Sequence, residues 1–207
     1  MTLARTTRSL LTVAALSMAA LLAGCSGKSS SNNGPETVDA KRVQADKLIA
    51  KAQELTAAGQ DYDAINVYKE AVTLYPGNAF AWYNLGVLCS RHNRLRESAE
   101  AWQVAADLEP VDPRAYTAIG LQYQEQGWLV DAGRYYNRAL ERDPNYLPAL
   151  KKSIEVDQLS DNYTDVTLDR IRKALQQETD PKWVEYLRRM QLKTLERVSR
   201  AGGSTGR

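Results

Sequence analysis

One histidine, His92, and two cysteines, Cys25 and Cys89, are all that the 207 residues offer of the side chains metal and nucleophilic sites use most. A zinc site takes three or four protein ligands, and Cys89 with His92 three residues on supplies only two. His92 is therefore expected as a solvated side chain near the outer end of a helix. No serine or cysteine has a credible base, and no glycine-rich loop follows a strand. The carboxylates alternate with Lys and Arg, so even the Glu97 and Glu100 pair reads as solvated helix surface. A chain of this make-up is expected to be no enzyme and to hold no metal or cofactor.

A basic excess is missing too. The chain has 27 Lys+Arg against 25 Asp+Glu, and two of the cations, Arg5 and Arg8, lie in an N-terminal leader. Without them the balance is even, so no global field draws the protein toward nucleic acid.

Long hydrophobic runs are equally scarce. The stretch from Leu10 to Leu22, interrupted by Thr12 and Ser17, falls short of the ~20 apolar residues a membrane helix needs. Preceded by Arg5 and Arg8, it makes residues 1–24 a signal peptide. Its end, Leu22-Ala23-Gly24-Cys25, resembles the lipobox of bacterial lipoproteins. An ordinary secretory signal or a membrane helix containing Cys25 is the alternative. The resemblance implies that Cys25 becomes the mature N-terminus and carries lipid, palmitate included. Ser26, rather than Asp, then resembles the sorting preference for an outer membrane, with the protein facing the periplasm. In a single-membrane cell it would face outward from the plasma membrane. Cys89 would be left without a disulfide partner and is expected as a small buried hydrophobe. Residues 25–37 are rich in Ser, Gly and Asn and read as a flexible linker.

What the chain does have is a repeat of 34 residues. Trp82 recurs as Tyr116, Leu85 as Ile119, Gly86 as Gly120, Trp102 as Tyr136, Ala105 as Ala139 and Pro110 as Pro144. A weaker copy precedes them, with Gly59, Ala64, Tyr68, Ala71 and Pro76 in step. Trp82, Leu85, Gly86 and Cys89 fall on one face of a first helix. Asn93 or Gly127 ends it, and Ala99, Trp102, Ala105 and Ala106 mark the inner face of a second. Small residues at Gly86, Gly120, Ala105 and Ala139 allow close approach of the paired helices. A period of this length means stacked supersecondary units.

These residues resemble the tetratricopeptide repeat family, with a W-LG-Y … A … F-A … P pattern. The resemblance implies an all-α solenoid of helix-turn-helix units at 45–78, 79–112 and 113–146. A divergent unit follows at 147–180, where Ser153 and Asp157 stand at positions that favour apolar residues. A helix over 181–200 is expected to cap the array with a polar outer face, Trp183, Leu187, Met190 and Thr194 along its inner side. Residues 201–207 are expected as a disordered tail, and the repeat domain as a whole spans 38–200.

In this family the first helices line a concave groove. The implied groove residues are Phe80, Tyr83, Asn84, Val87 and Ser90, then Arg114, Thr117, Ala118, Leu121 and Gln124. Ile49, Ala50 and Gln53 come from the first unit, and Lys151 and Lys152 from the divergent one. Exposed apolar residues among polar neighbours are an interaction signature; the alternative is that the Trp183 helix covers them. Some chaperone-binding members clamp a peptide carboxylate. At the matching positions Ile49, Gln53, Asn84, Arg114 and Ala118, only Asn84 agrees fully and Arg114 in charge, so that clamp is not expected. The architecture of lipobox, linker and tandem repeats is similar to the small lipoproteins that include the pilotins of type IV pili. It implies a lipid-anchored scaffold or assembly accessory that binds a partner polypeptide. An adaptor for peptidoglycan-modifying enzymes is the runner-up, and a small-ligand carrier or enzyme subunit a third reading.

Overall fold

A computed structural model describes residues 37–203, all of whose regular structure is helical. Cys25, the signal peptide and nearly all of the linker lie outside the described residues. Thr37, the last linker residue, starts the first helix, its hydroxyl accepting from the Ala40 amide at 3.2 Å. The helices are α1 (Val38–Ala57), α2 (Asp61–Leu74), α3 (Ala79–Arg91), α4 (Leu95–Leu108) and α5 (Pro113–Glu125), then α6 (Leu129–Arg142), α7 (Leu147–Leu159), α8 (Asp165–Gln177) and α9 (Pro181–Gly203). Each packs on the next in chain order, as in a one-dimensional stack.

The 34-residue period is built into the backbone. Left-handed conformations occur at Gly59 (φ 75°), Asn93 (φ 56°), Gly127 (φ 78°) and Asp161 (φ 51°), one per hairpin. At each, the amide of the following residue bonds back across the turn: Gln60 to Leu55 O, Arg94 to Cys89 O, Trp128 to Tyr123 O and Asn162 to Asp157 O, at 2.8–2.9 Å. Gly adopts this geometry freely, and Asn and Asp are the side chains that tolerate it next best. Residues 147–180 therefore make a fourth unit with the same hairpin.

Packing inside a unit depends on small against large. A Cβ at Gly86 would lie 2.5 Å from the Trp102 ring, and one at Gly120 would lie 2.7 Å from that of Tyr136. The first unit sets Ala52 opposite Tyr68, both buried. The fourth unit exchanges both members, with Ile154 at the small position and Arg170 at the aromatic one. Arg170 reaches the buried Asp157 at 2.9 Å, and Thr167 donates to the same oxygen at 2.9 Å. Burial raises the Asp157 pKa in spite of these partners. Ser153 is also buried, its hydroxyl donating to Leu150 O at 2.9 Å. Both polar departures thus occupy interior positions with their hydrogen bonds made.

Three local expectations change. Ala99 is only half-buried, and Ser98 and Ala101 take the inner face of α4 instead. The expected solvation of His92 is replaced by a bond from its Nε2 to Asp61 Oδ2 at 2.9 Å, with Tyr62 packed on its ring at 4.4 Å. The last helix continues to Gly203 rather than ending at Arg200. Cys89 is fully buried, which pushes its thiol pKa up.

Candidate functional site

The first helices α3, α5 and α7 stand side by side and, with the start of α9, enclose a cavity of about 550 Å³. Tyr83 and Val87 come from α3; Arg114, Thr117, Ala118 and Leu121 come from α5; Leu147, Pro148 and Lys151 come from α7. The helical repeat places these side chains, because residues three and four apart share a face. The floor is apolar and the rim carries Arg91, Arg114, Lys151 and Lys152.

Two cations are held over aromatic rings. The Arg114 guanidinium lies 5.1 Å from the centre of the Tyr83 ring. Asp112 fixes it there, its carboxylate accepting from Arg114 Nε at 2.8 Å while also capping α5 through the Arg114 amide at 2.9 Å. Burial works against an ionised Asp112, but the side-chain and backbone bonds from Arg114 hold its pKa below the usual range. Burial raises the Tyr83 hydroxyl pKa, so it stays a neutral donor at physiological pH. At the other end Lys151 lies 3.7 Å from the centre of the Trp183 ring and 2.6 Å from Glu178. The Lys151 bond, first among its contacts, lowers the Glu178 pKa and keeps that carboxylate charged.

Of the fifteen groove residues that the resemblance implies, nine share this cavity: Tyr83, Val87, Ser90, Arg114, Thr117, Ala118, Leu121, Lys151 and Lys152. Six do not, and Ala50 and Gln53 among them are exposed on α1. Phe80 is 39% exposed outside it. Asn84 spends its amide on Phe80 O at 2.8 Å. Gln124 accepts from the Tyr136 hydroxyl at 2.7 Å and donates to Glu155, beside a second cavity of about 430 Å³. Ile49, offered to the groove by the same resemblance, is buried in the first unit's core. Trp183, expected as an inner-face residue of the cap, instead forms a wall common to both cavities. Tyr146 and Trp102 also line the groove, and no positional rule within one unit marks them. The Trp183 helix does not cover the floor: Leu121 remains 37% exposed. Among the described residues, no group of three or more His, Cys, Asp or Glu is arranged to hold a metal ion, and no helix is long and apolar enough to cross a membrane.

Family models named "Tetratricopeptide repeat" match residues 67–103 and 113–146. The described helices form a solenoid of tetratricopeptide repeats. Solved tetratricopeptide structures superpose on this solenoid. A repeat protein from Parabacteroides merdae has a TM-score of 0.63 at 20% identity, covering 74% of this chain and 60% of that one. The MamA protein gives 0.57 at 24% identity, with 67% and 75% covered. At these identities the likeness concerns the fold alone. Among curated sequences, the "Probable UDP-N-acetylglucosamine--peptide N-acetylglucosaminyltransferase SPINDLY" of Petunia hybrida is 28% identical over 130 residues, 62% of this chain and 14% of that protein. The small glutamine-rich tetratricopeptide repeat-containing protein 2 of Saccharomyces cerevisiae is 29% identical over 128 residues, 59% of this chain and 36% of that protein. The chain thus spans well under half the length of the curated relatives it matches.

Proposed function

We propose that the chain is a lipid-anchored interaction scaffold whose tetratricopeptide groove holds a segment of a partner polypeptide during assembly of an envelope complex. The observation that carries this reading is the cavity itself. Tyr83, Leu121 and Trp183 offer apolar surface to solvent there, with Arg114 and Lys151 held in place above two of the rings. Interface energy concentrates in such aromatic and Arg anchors. Each unit's own packing positions are filled by other residues, so folding does not require Leu121 to face the groove. A solved relative by fold, the first repeat domain of Spaghetti (RPAP3), is bound to an HSP90 peptide, at 22% identity and a TM-score of 0.55. The lipobox-like Leu22-Ala23-Gly24-Cys25 supports attachment of the N-terminus to a membrane, and the serine-rich linker supports presentation of the groove away from it.

A photo-crosslinking residue at Leu121 tests the groove in intact cells. It should form adducts with one envelope protein, and the same residue at Val130, exposed on the second helix α6, should not. Adding Tyr83→Ala should abolish the Leu121 adduct. Equal labelling from both positions would refute the groove as the binding face. The adduct's identity also separates an assembly accessory from an adaptor for peptidoglycan-modifying enzymes.

A further inference from the structure

The repeat register divides each first helix into two working faces. One packs on the preceding unit, at Ala81, Leu85 and Leu88 in α3 and at Ala115, Ile119 and Gln122 in α5, all buried. The other packs on the unit's own second helix, at Trp82, Gly86 and Cys89 in α3 and at Leu150, Ile154 and Asp157 in α7. The same register continues into α9, which begins at Pro181, 34 residues after Leu147. Its preceding-unit face is used: Leu187 and Met190 are buried against the fourth unit. Its second face is less covered, with Val184 and Gln191 half-buried and Arg188 exposed. Leu195, where every earlier unit turns, stays helical and is 45% exposed, and Leu192 is 71% exposed. At the opposite end of the solenoid the free face of α1 carries Lys47, Lys51 and Glu54, all exposed, which closes that end with charge.

We propose that the open face of α9, which stands in the register of a first helix, is a docking site for an acidic amphipathic helix from a partner protein, packed there as a second helix would be. Charge selects the occupant. α9 carries Lys182, Arg188, Arg189, Lys193, Arg197 and Arg200 against Glu185 and Glu196. Arg200 is already paired to Glu196 at 2.6 Å and Arg197 to Asp161 at 3.2 Å. Arg188 and Lys182 have no ion-pair partner among the described residues. A second copy of α9 would set cations against cations, whereas a helix with Asp or Glu beside its apolar stripe answers them. Arg188 occupies the place of Gly86 and Gly120, so the incoming helix presents a carboxylate where α4 and α6 present Trp102 and Tyr136. The fourth unit already shows that this interface accepts a buried charge pair, between Asp157 and Arg170. The surface is distinct from the groove, because Val184, Arg188, Gln191 and Leu195 line neither of the two cavities.

The probe is a stapled peptide of the α4 sequence, Leu95–Leu108, which is itself net acidic, carrying Trp102→Glu to meet Arg188. Stapling is needed because a free helix of this length is marginal in water. Fluorescence anisotropy with the full chain in detergent should show saturable binding. Arg188→Glu in the protein should weaken it by about ten-fold, and a peptide carrying Trp102→Lys should restore affinity for that variant. The Tyr83→Ala, Leu121→Ala protein should bind the original peptide normally. The proposal fails if no binding occurs, if Arg188→Glu has no effect, or if the groove variant loses the peptide. It also fails if Arg188→Glu instead dissolves a dimer, or releases the chain from phosphatidylglycerol vesicles without affecting the peptide. Unchanged helicity and Tm in Arg188→Glu, expected for an exposed side chain, keep these outcomes readable.

Discussion

Replacing Gly86 with alanine sets two effects of opposite sign against each other. In an exposed helix the change stabilises by about 1 kcal/mol, because alanine restricts the unfolded chain and glycine does not. Here the new Cβ would lie 2.5 Å from two atoms of the Trp102 ring and 2.9 Å from a third. The ring cannot swing away cheaply: it is 4% exposed, and its Nε1 donates to Tyr83 O at 3.1 Å. Overpacking of this kind costs about 1–3 kcal/mol, so the clash should equal or exceed the gain in helix propensity. The first unit offers its own control. There Ala52 faces Tyr68, and both are buried without conflict. Gly86→Ala combined with Trp102→Tyr recreates that pair in the second unit. The double variant should therefore be more stable than the sum of the single changes, with a coupling of about 0.5–3 kcal/mol. Urea unfolding followed by far-UV circular dichroism of wild type, both single variants and the double variant measures this directly. A Gly86→Ala protein more stable than wild type, or additive single changes, would refute the argument that ring and glycine touch.

Other expectations follow from the same contacts. Arg170→Met should destabilise by about 3–5 kcal/mol, because it leaves Asp157 buried and unpaired; Asp157→Leu added to it should recover most of the loss in the same urea assay. Tyr83→Ala with Leu121→Ala should leave helicity intact and lower Tm only slightly while removing partner capture; marked destabilisation would make these residues core. Cys25→Ala should leave the chain unprocessed and outside the membrane's acyl-labelled fraction, with the repeat domain folded; correct processing of the variant would refute the anchor. Glu97, bonded first by Lys69 at 2.6 Å and then by Arg94 at 2.6 Å, has a lowered carboxyl pKa. A lowered folded-state pKa contributes stability above the unfolded value that disappears as pH falls through the folded one. Glu97→Gln should thus lower Tm slightly at neutral pH and not at all in acid; an equal effect at both would assign the loss to packing.

Much of this molecule is local in origin, and that part is legible in the amino-acid sequence. Gly59, Asn93 and Gly127 mark hairpins because few residues accept a positive φ, and the apolar spacing between them defines which helix faces meet. Close approach of the helices at Gly86 and Gly120 follows from the period, and the resemblance to the repeat family implies the grouping of Tyr83, Val87, Arg114 and Leu121; that Trp102 and Tyr136 are the rings set against the two glycines appears only in the packing. Asp161 was less legible, since Asp serves in many turns, and the hairpin it makes appears only in the backbone. Tertiary structure decided what depends on how whole units sit on one another. Ile49 turns into the core because it packs with Ala52, Ile65 and Tyr68 of its own unit. His92 is half-buried because the second unit's turn is brought against Asp61 of the first. Trp183 becomes a wall common to two cavities because the start of α9 is brought beside residues of α5 and α7. That same placement buries Leu187 and Met190 of α9 against the fourth unit and leaves Arg188 exposed, since only the neighbouring helices determine which face is covered.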